Sequence, residues 1–267
     1  MKVRIFFLFL ASLSCTVWAK KKHRHRHRPR NTQPLLQKQP VFRNGIEIIT
    51  SDLEEVVPYL QKYLPYNPVV VVASAYNGKA TKKMAELWPQ GKWYAFEPIA
   101  KYFVDLEKNT QALTNVERFQ FALSDHTGIT ELYSETCDDI PNTPPPSALF
   151  LNSQEHQNDP NILFNTITPI SAITLDDWAD CYGVDHVDLL CLSLQGYELN
   201  IIKAAPKILK TVRAIYTEVS FAKTFEEQYL YNNVTEFLEG QGFKLAAQDF
   251  DEPPLFWYGN AVFVKKR

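Results

Sequence analysis

Residues Pro68–Pro98 read PVVVVASAYNGKATKKMAELWPQGKWYAFEP. The run Val69–Val72 is apolar and β-branched, the composition of a strand buried on both faces of a parallel sheet. Small residues follow (Ala73, Ser74, Ala75), and then Asn77-Gly78, a turn signal. Lys79–Leu87 is rich in helix formers, and Pro89 with Gly91 ends it. A second strand, Trp93–Phe96, runs into Glu97-Pro98. Strand, small-residue turn, helix, strand and terminal acid open a nucleotide-binding βαβ unit, in which the acid accepts hydrogen bonds from ribose hydroxyls. Glu97 lies roughly 20 residues past the turn, the spacing such a unit requires. A buried βαβ unit whose glutamate only ends a strand fits this stretch equally well.

The 267-residue chain, 45% hydrophobic and 13% aromatic, suffices for one sizeable core and permits one or two domains. Its formal charge of -2 hides a separation: residues 1–30 hold nine Lys/Arg and no acid, leaving 19 bases against 30 acids, or -11, for the rest. So acidic a body is a poor binder of phosphate backbones, which argues against a nucleic-acid partner for it. Residues 1–19, MKVRIFFLFLASLSCTVWA, have the plan of a signal peptide or short signal anchor: Lys2 and Arg4, an apolar run, then Val17-Trp18-Ala19 as a cleavage site. Residues 20–44 form a basic arm and linker beginning KKKHRHRHRPR. Seven bases directly behind an apolar run oppose translocation, so a membrane anchor facing the cytoplasm stands as the alternative to export. The arm suits an anionic membrane surface or polymer better than a metal, because guanidinium groups between the imidazoles repel a cation. Cys137, Cys181 and Cys191 are too widely spaced for a zinc pattern or a disulfide framework, and no metal site is expected.

Along residues 45–267 the pattern alternates. Ile46–Ile49 suggests a short strand, and Ser51-Asp52 caps a helix to about Tyr63. Beyond the βαβ unit, Ala100–Gln111 is an amphipathic helix and Val116–Ala122 a third strand, predicted to form a hairpin with Thr130–Tyr133. Residues 135–166 lack periodicity and carry five prolines, the mark of a long loop. Leu175 starts a helix, Val187–Leu194 is a buried strand, and one helix is expected over Tyr197–Leu209. Val212–Val219, a helix over Glu226–Glu239, and two antiparallel strands, Phe243–Ala247 and Trp257–Val264, complete a doubly wound α/β domain.

From about Gly45 to Val264 the chain resembles the FkbM family of S-adenosylmethionine-dependent methyltransferases. The resemblance is carried by ASAYNGKAT, AFEP, ALSD at Ala122–Asp125, ITLDD at Ile173–Asp177, DLLCLSLQGYE and EVS at Glu218–Ser220, six pieces in one order. It implies a Rossmann-like class I methyltransferase sheet, mostly parallel, of seven strands with a C-terminal antiparallel hairpin and helices on both faces. It also implies that Glu97 holds the ribose of S-adenosylmethionine, that Ala122 and Asp125 border the adenine, and that Ser74, Ala75 and Gly78 lie along the methionine part. Two departures stand in the first strand, where the family's Asp-x-Gly-Ala has become Val72, Ala73, Ser74 and Ala75. Losing the Asp acceptor costs roughly 1.5–3 kcal/mol of a charge-assisted hydrogen bond. A Cβ on Ser74 intrudes where glycine lets backbone meet ligand. The later Lys-x-Asp-x-Glu-Gly-x-Glu reads Cys191, Ser193, Gln195, Gly196 and Glu198. In this fold Ser193, Gln195, Glu198 and Glu218 would stand at the catalytic, substrate end of the cleft, with Glu198 and Glu218 the remaining acids.

Two functions are open on this reading. One is S-adenosylmethionine-dependent O-methylation of a sugar or related small hydroxyl substrate, a small molecule or glycan. The other is a catalytically silent methyltransferase fold kept as an exported binding module, since the cofactor is made in the cytoplasm and the motifs are neutralised.

Overall fold

The computed structural model describes residues 41–43, 45–134, 147–148, 166–223, 227–250 and 258–266. Residues 1–40, where a leader and most of a basic arm and linker are expected, Cys137 and nearly all of the proline-bearing stretch lie outside them.

Two short strands, β1 (Val41–Arg43) and β2 (Ile46–Ile48), pair antiparallel around Gly45. The helix α1 (Leu53–Gln61) begins as its sequence directs, with the Asp52 side chain accepting the N–H of Glu54 and two glutamates in the first turn. The stretch that decides the fold then gives β3 (Val69–Ala73), α2 (Lys79–Leu87) and β4 (Lys92–Phe96), followed by α3 (Ala100–Thr110) and β5 (Val116–Phe119). All three strands are parallel, with Val71 opposite Tyr94 and Ala95 opposite Arg118.

Here the predicted hairpin fails. The β5 strand ends at Phe119, and β6 (Ala122–Leu123), β7 (Gly128–Ser134), β8 (Ser147–Ala148) and β9 (Thr166–Ile173) build a separate sheet in the order β6-β9-β7-β8. Strand β7 pairs antiparallel with β9, not with β5. The reason is its inward face: Leu132 is buried with Ala122, Ile170 and Ala172 in a small core of their own. A local hairpin on β5 would leave β9 and that core unfilled.

Next come α4 (Leu175–Tyr182), capped by Thr174 and stopped by Gly183, and β10 (Leu189–Leu192). The single helix expected over 197–209 is two, α5 (Glu198–Lys203) and α6 (Pro206–Leu209). Pro206 has no N–H to continue a helix but suits a first turn. The buried Asp176 accepts the N–H groups of Lys207 and Ile208, each at 2.9 Å, and so fixes the new start. The chain closes with β11 (Ala214–Ser220), α7 (Tyr231–Gly240), β12 (Phe243–Gln248) and β13 (Tyr258–Lys265). The main sheet has nine strands in the order β1-β2-β12-β13-β11-β10-β3-β4-β5. The seven from β12 to β5 are those expected, with β13 antiparallel between β11 and β12; β1 and β2 extend the sheet beyond β12. Two cores result. Helices α1, α2 and α3 cover one face over Val70, Val72, Cys191 and Tyr216. Helices α4 to α7 cover the other, where Trp178 meets Tyr94 and Phe96 edge-on at 4.8 and 5.2 Å. Among the described residues no helix is long and apolar enough to cross a membrane.

At the entrance to the central strands Asp188 is nearly fully buried. Its carboxylate accepts the Val69 N–H at 3.0 Å and pairs with Arg213 Nε at 2.9 Å, linking the starts of β3, β10 and β11. Asp188→Ala orphans that N–H and frees the exposed Arg213, and should destabilise the protein by about 1–3 kcal/mol in urea unfolding. Removing the exposed Lys82–Glu86 pair, at 3.8 Å, should change it by less than about 1 kcal/mol.

Candidate functional site

The carboxyl ends of the parallel strands carry the candidate site. At the turn after β3 the backbone takes left-handed conformations at Ser74 (φ 57°), Tyr76 (φ 49°) and Gly78 (φ 74°). Only the last is a glycine, so the family's glycine geometry persists with side chains in it, at a cost of order 1 kcal/mol each. Ser74 is exposed. Ala75 is buried, donates its N–H to Phe96 (2.8 Å) and accepts that of Gly78 (2.9 Å). A Cβ on Gly78 would lie 2.6 Å from Leu106 Cδ1, so this glycine serves the packing of α2 on α3. That packing, rather than room for a ligand, is the first reason no side chain is tolerated there. Asn109 on α3 donates to the Asn77 carbonyl at 2.8 Å and braces the turn from behind.

Glu97 is buried, and each oxygen accepts one backbone N–H at 2.9 Å, from Tyr76 and from Ile99. Burial pushes its carboxyl up to about 7, against the opposing effect of those two bonds. A carboxylate has about four lone-pair directions, and the two backbone bonds use two of them. Ala122 is buried in the small second sheet, opposite Ala172, while Asp125 is exposed and bonded to His126 Nδ1 at 2.7 Å. Partial burial would raise the Asp125 carboxyl, but the hydrogen bonds from His126 and Tyr197 outweigh it and hold it low.

Toward the sheet's centre, two rows cross the strands on the α1–α3 side. In the first, Val72, Cys191, Tyr216 and Val262 are successive neighbours in register. Thus two positions that depart from the family, Val72 and Cys191, are direct partners. Both are neutral, so neither leaves a buried charge unpaired. One pleat further along stand Ser74, Ser193, Glu218 and Asn260, the last two in register. Ser193 donates to Glu218 Oε2 at 3.4 Å. Asn260 donates from its backbone N–H and its Nδ2 to Asp249, at 2.6 and 2.8 Å. Glu198 opens α5 and accepts the Leu194 N–H at 2.6 Å. The structure therefore brings Ser193, Glu198 and Glu218 together.

Gln195 stands apart from them in role. Its backbone is left-handed (φ 57°) and its carbonyl accepts Gln228 Nε2 at 3.1 Å. Gln228 also donates to Ser220 Oγ at 2.8 Å. A Cβ on Gly196 would lie 2.2 Å from Gln228 Cγ, which explains the glycine. Gln228, Asp249, Asn260 and Tyr76 were not found by the sequence reading. Gly196 beside Gln195 hints at a close approach, but nothing local says that residue 228 fills it. Ser74 and Ser193 line one cavity of about 50 Å³, which joins the turn to the acid-bearing row. Among the described residues no cluster of three or more His, Cys, Asp or Glu could hold a metal.

Burial raises Glu198 to about 7, opposed by the N–H groups of Leu194, Glu198 and Gly196. It raises Glu218 to about 8, with repulsion from Glu198 and Asp249 adding to it and the Ser193 hydroxyl opposing. Both therefore hold protons more tightly folded than unfolded, where carboxyls ionise near 4.5. Their stabilising contribution is full below about pH 4.5 and is lost as pH rises through 7 to 8. Thermal melts should show stability falling from pH 5 to pH 8. Glu218→Gln should flatten that fall and raise the melting temperature at pH 8; a steeper fall in the variant would contradict the buried-carboxyl account.

The methyltransferase FkbM domain model matches residues 73–245, the span holding the turn, Glu97, Glu198 and Glu218. The 2-O-methyltransferase NoeI of Sinorhizobium fredii (strain NBRC 101917 / NGR234) is 25% identical over 218 residues, covering 80% of this chain and 88% of that protein. Solved structures with a similar course include magnesium protoporphyrin IX methyltransferase of Synechocystis PCC 6803 with bound SAM (TM-score 0.46, 10% identity, 80% of this chain and 78% of that one). Another is an rRNA methylase of Streptococcus thermophilus (TM-score 0.45, 14% identity, 79% and 95%). With the family model spanning well over half its length, the chain belongs to the FkbM methyltransferase family.

Proposed function

We propose that the protein transfers a methyl group from S-adenosylmethionine to a hydroxyl of a sugar or related small molecule. The observation that carries this is Glu97: a buried carboxylate at the end of β4, beside the β3–α2 turn, with acceptor capacity left after its two backbone bonds. The residues present fit the ribose end of the cofactor, through Glu97. They fit its ammonium less well, because Val72 offers no acceptor there. When bound, the cofactor supplies an electrophilic methyl on a sulfonium. The chain's own part is to position the acceptor hydroxyl and take its proton. Glu218 is placed for the second task, since a carboxyl that titrates near neutrality both accepts and releases a proton at physiological pH. The relative that methylates a 2-hydroxyl supports an O-linked acceptor.

Isothermal titration of S-adenosylmethionine into the leaderless protein should give a measurable Kd. Glu97→Ala should weaken it about 10- to 100-fold, the size of one or two charge-assisted hydrogen bonds. Ser74→Gly should leave stability equal or higher, since it relieves a left-handed side chain, and should tighten binding. No heat at millimolar ligand, with the fold intact by circular dichroism, would end this reading.

The neutral pair Val72 and Cys191, with Ser193 and Gln195, favours a second reading, a silent fold used for binding outside the cytoplasm. Location separates the two. An alkaline phosphatase fusion after Arg267 should be active in intact cells if the chain is exported on residues 1–19. An inactive fusion held in the membrane fraction would place the body where the cofactor is made.

A further inference from the structure

One face of α3 packs against the turn after β3 residue for residue. Tyr102, Leu106 and Asn109 recur at the spacing of a single helix face. Asn109 donates to the Asn77 carbonyl at 2.8 Å, and Leu106 fills the space that a Cβ on Gly78 would need. Tyr102 takes the remaining residue: its ring meets that of Tyr76 at 4.5 Å between centroids, with the planes inclined at 60°. An inclined pair at this separation suits two aromatic quadrupoles. Tyr76 needs such a partner. It holds a bulky side chain on a left-handed backbone (φ 49°), a conformation that glycine reaches freely and that tyrosine keeps where its surroundings impose it.

The strained residue is also one that donates to Glu97. Tyr76 gives its N–H to Glu97 Oε2 and Ile99 gives its own to Oε1, both at 2.9 Å. Tyr102 reaches both donors. Its ring rests on Tyr76, and its backbone N–H is accepted by the Ile99 carbonyl at 3.0 Å. Four residues thus close a circuit of contacts, from Glu97 to Tyr76, Tyr102, Ile99 and back. The Ile99 leg is made by backbone, whereas the Tyr76 leg depends on a side chain. We propose that Tyr102 is a positioning residue for Glu97, its ring holding Tyr76 in the left-handed conformation that keeps one of the carboxylate's two N–H donors in place. Its role toward a ligand rests on the reading of Glu97 as the ribose acceptor, because a carboxylate fixed by two donors presents its other lone pairs in set directions. The hold of Tyr102 on Glu97 does not rest on that reading. The charged groups around the ring pair are Lys101, 5.8 Å from the Tyr102 ring, and Asp105, which raises the Tyr76 hydroxyl together with its burial and Glu97. Lys101 and Asp105 are exposed and stay in place in every variant below.

The two N–H groups oppose burial at the Glu97 carboxyl, so its titration reports on them without any ligand. In infrared spectra of the ligand-free, leaderless protein, the carboxyl band that disappears in Glu97→Gln should titrate with a midpoint of about 7. Tyr102→Leu removes the ring and should move that midpoint upward by about one pH unit, as a charge-assisted hydrogen bond weakens. Tyr102→Phe keeps the ring and should leave the midpoint where it is. Tyr76→Gly takes the left-handed conformation unaided, and in that background Tyr102→Leu should no longer move the midpoint. Loss of packing alone would lower the melting temperature of Tyr102→Leu without moving the midpoint, and an unmoved midpoint overturns the proposal. An equal movement in Tyr102→Phe also overturns it, because the hydroxyl would then carry the effect. Titration of S-adenosylmethionine tests the ligand side: Tyr102→Leu should bind about tenfold more weakly. On top of Glu97→Ala the same change should add little, since both act through one carboxylate, and full additivity would refute the positioning role. Failure of S-adenosylmethionine to bind the unaltered protein ends the methyl-transfer reading and leaves the infrared midpoints to decide the proposal.

Discussion

The mouth of the cleft is held by one buried carboxylate accepting two backbone N–H groups. Glu97 draws the Tyr76 N–H from the turn after β3 and the Ile99 N–H from the start of α3. To present its N–H in that direction Tyr76 adopts a left-handed backbone, and the residues around it follow: Ala75 bonds back to Phe96, Gly78 closes on Ala75, and α2 starts against Leu106. The bonds from Tyr76 to Glu97 and from Ala75 to Phe96, and the contact of Gly78 with Leu106, join segments that are distant along the chain. The position of the helix over the sheet, and of every residue that a ligand would meet on this side, depends on them. The strain at Ser74 and Tyr76 is tolerable because several independent hydrogen bonds over-determine the turn.

The floor of the site shows how a fold survives loss of its usual charges. Val72 and Cys191 stand side by side in adjacent strands, so neutralising both removes a pair and leaves no lone ion in a low-dielectric interior. Further along the sheet, near its carboxyl edge, Glu218 feels the charges of both Glu198 and Asp249. Burial raises the affinity of all three carboxyls for protons, and at Glu218 that repulsion adds to it.

The second sheet explains the departure from a purely local reading of the middle of the chain. Strand β7 lies directly after β5 and β6 but finds its partner in β9, across the whole proline-bearing stretch. That pairing places Ala122 in a small separate core, and Ile99, on the loop that Glu97 organises, packs against it. Ile99 therefore ties the second sheet to the mouth of the cleft.

The sequence by itself determined the parallel βαβ start, the places along the chain of the seven strands β3, β4, β5, β10, β11, β12 and β13, and the cap at Asp52, because buried parallel strands and helix termini leave local signatures. Apolar runs, small-residue turns and capping side chains all lie within a few residues of what they cause. It also identified Glu97, Glu198 and Glu218 as acids at the strand ends. Only the tertiary structure decided that β7 pairs with β9, that Gln228 fills the space beside Gly196, and that Val72 and Cys191 are neighbours. It alone brought Asp249 to Asn260. These are contacts between residues far apart in the chain, set by strand register and by which face each residue takes in the sheet. A one-residue slip in register exchanges those faces, so no local pattern can specify them.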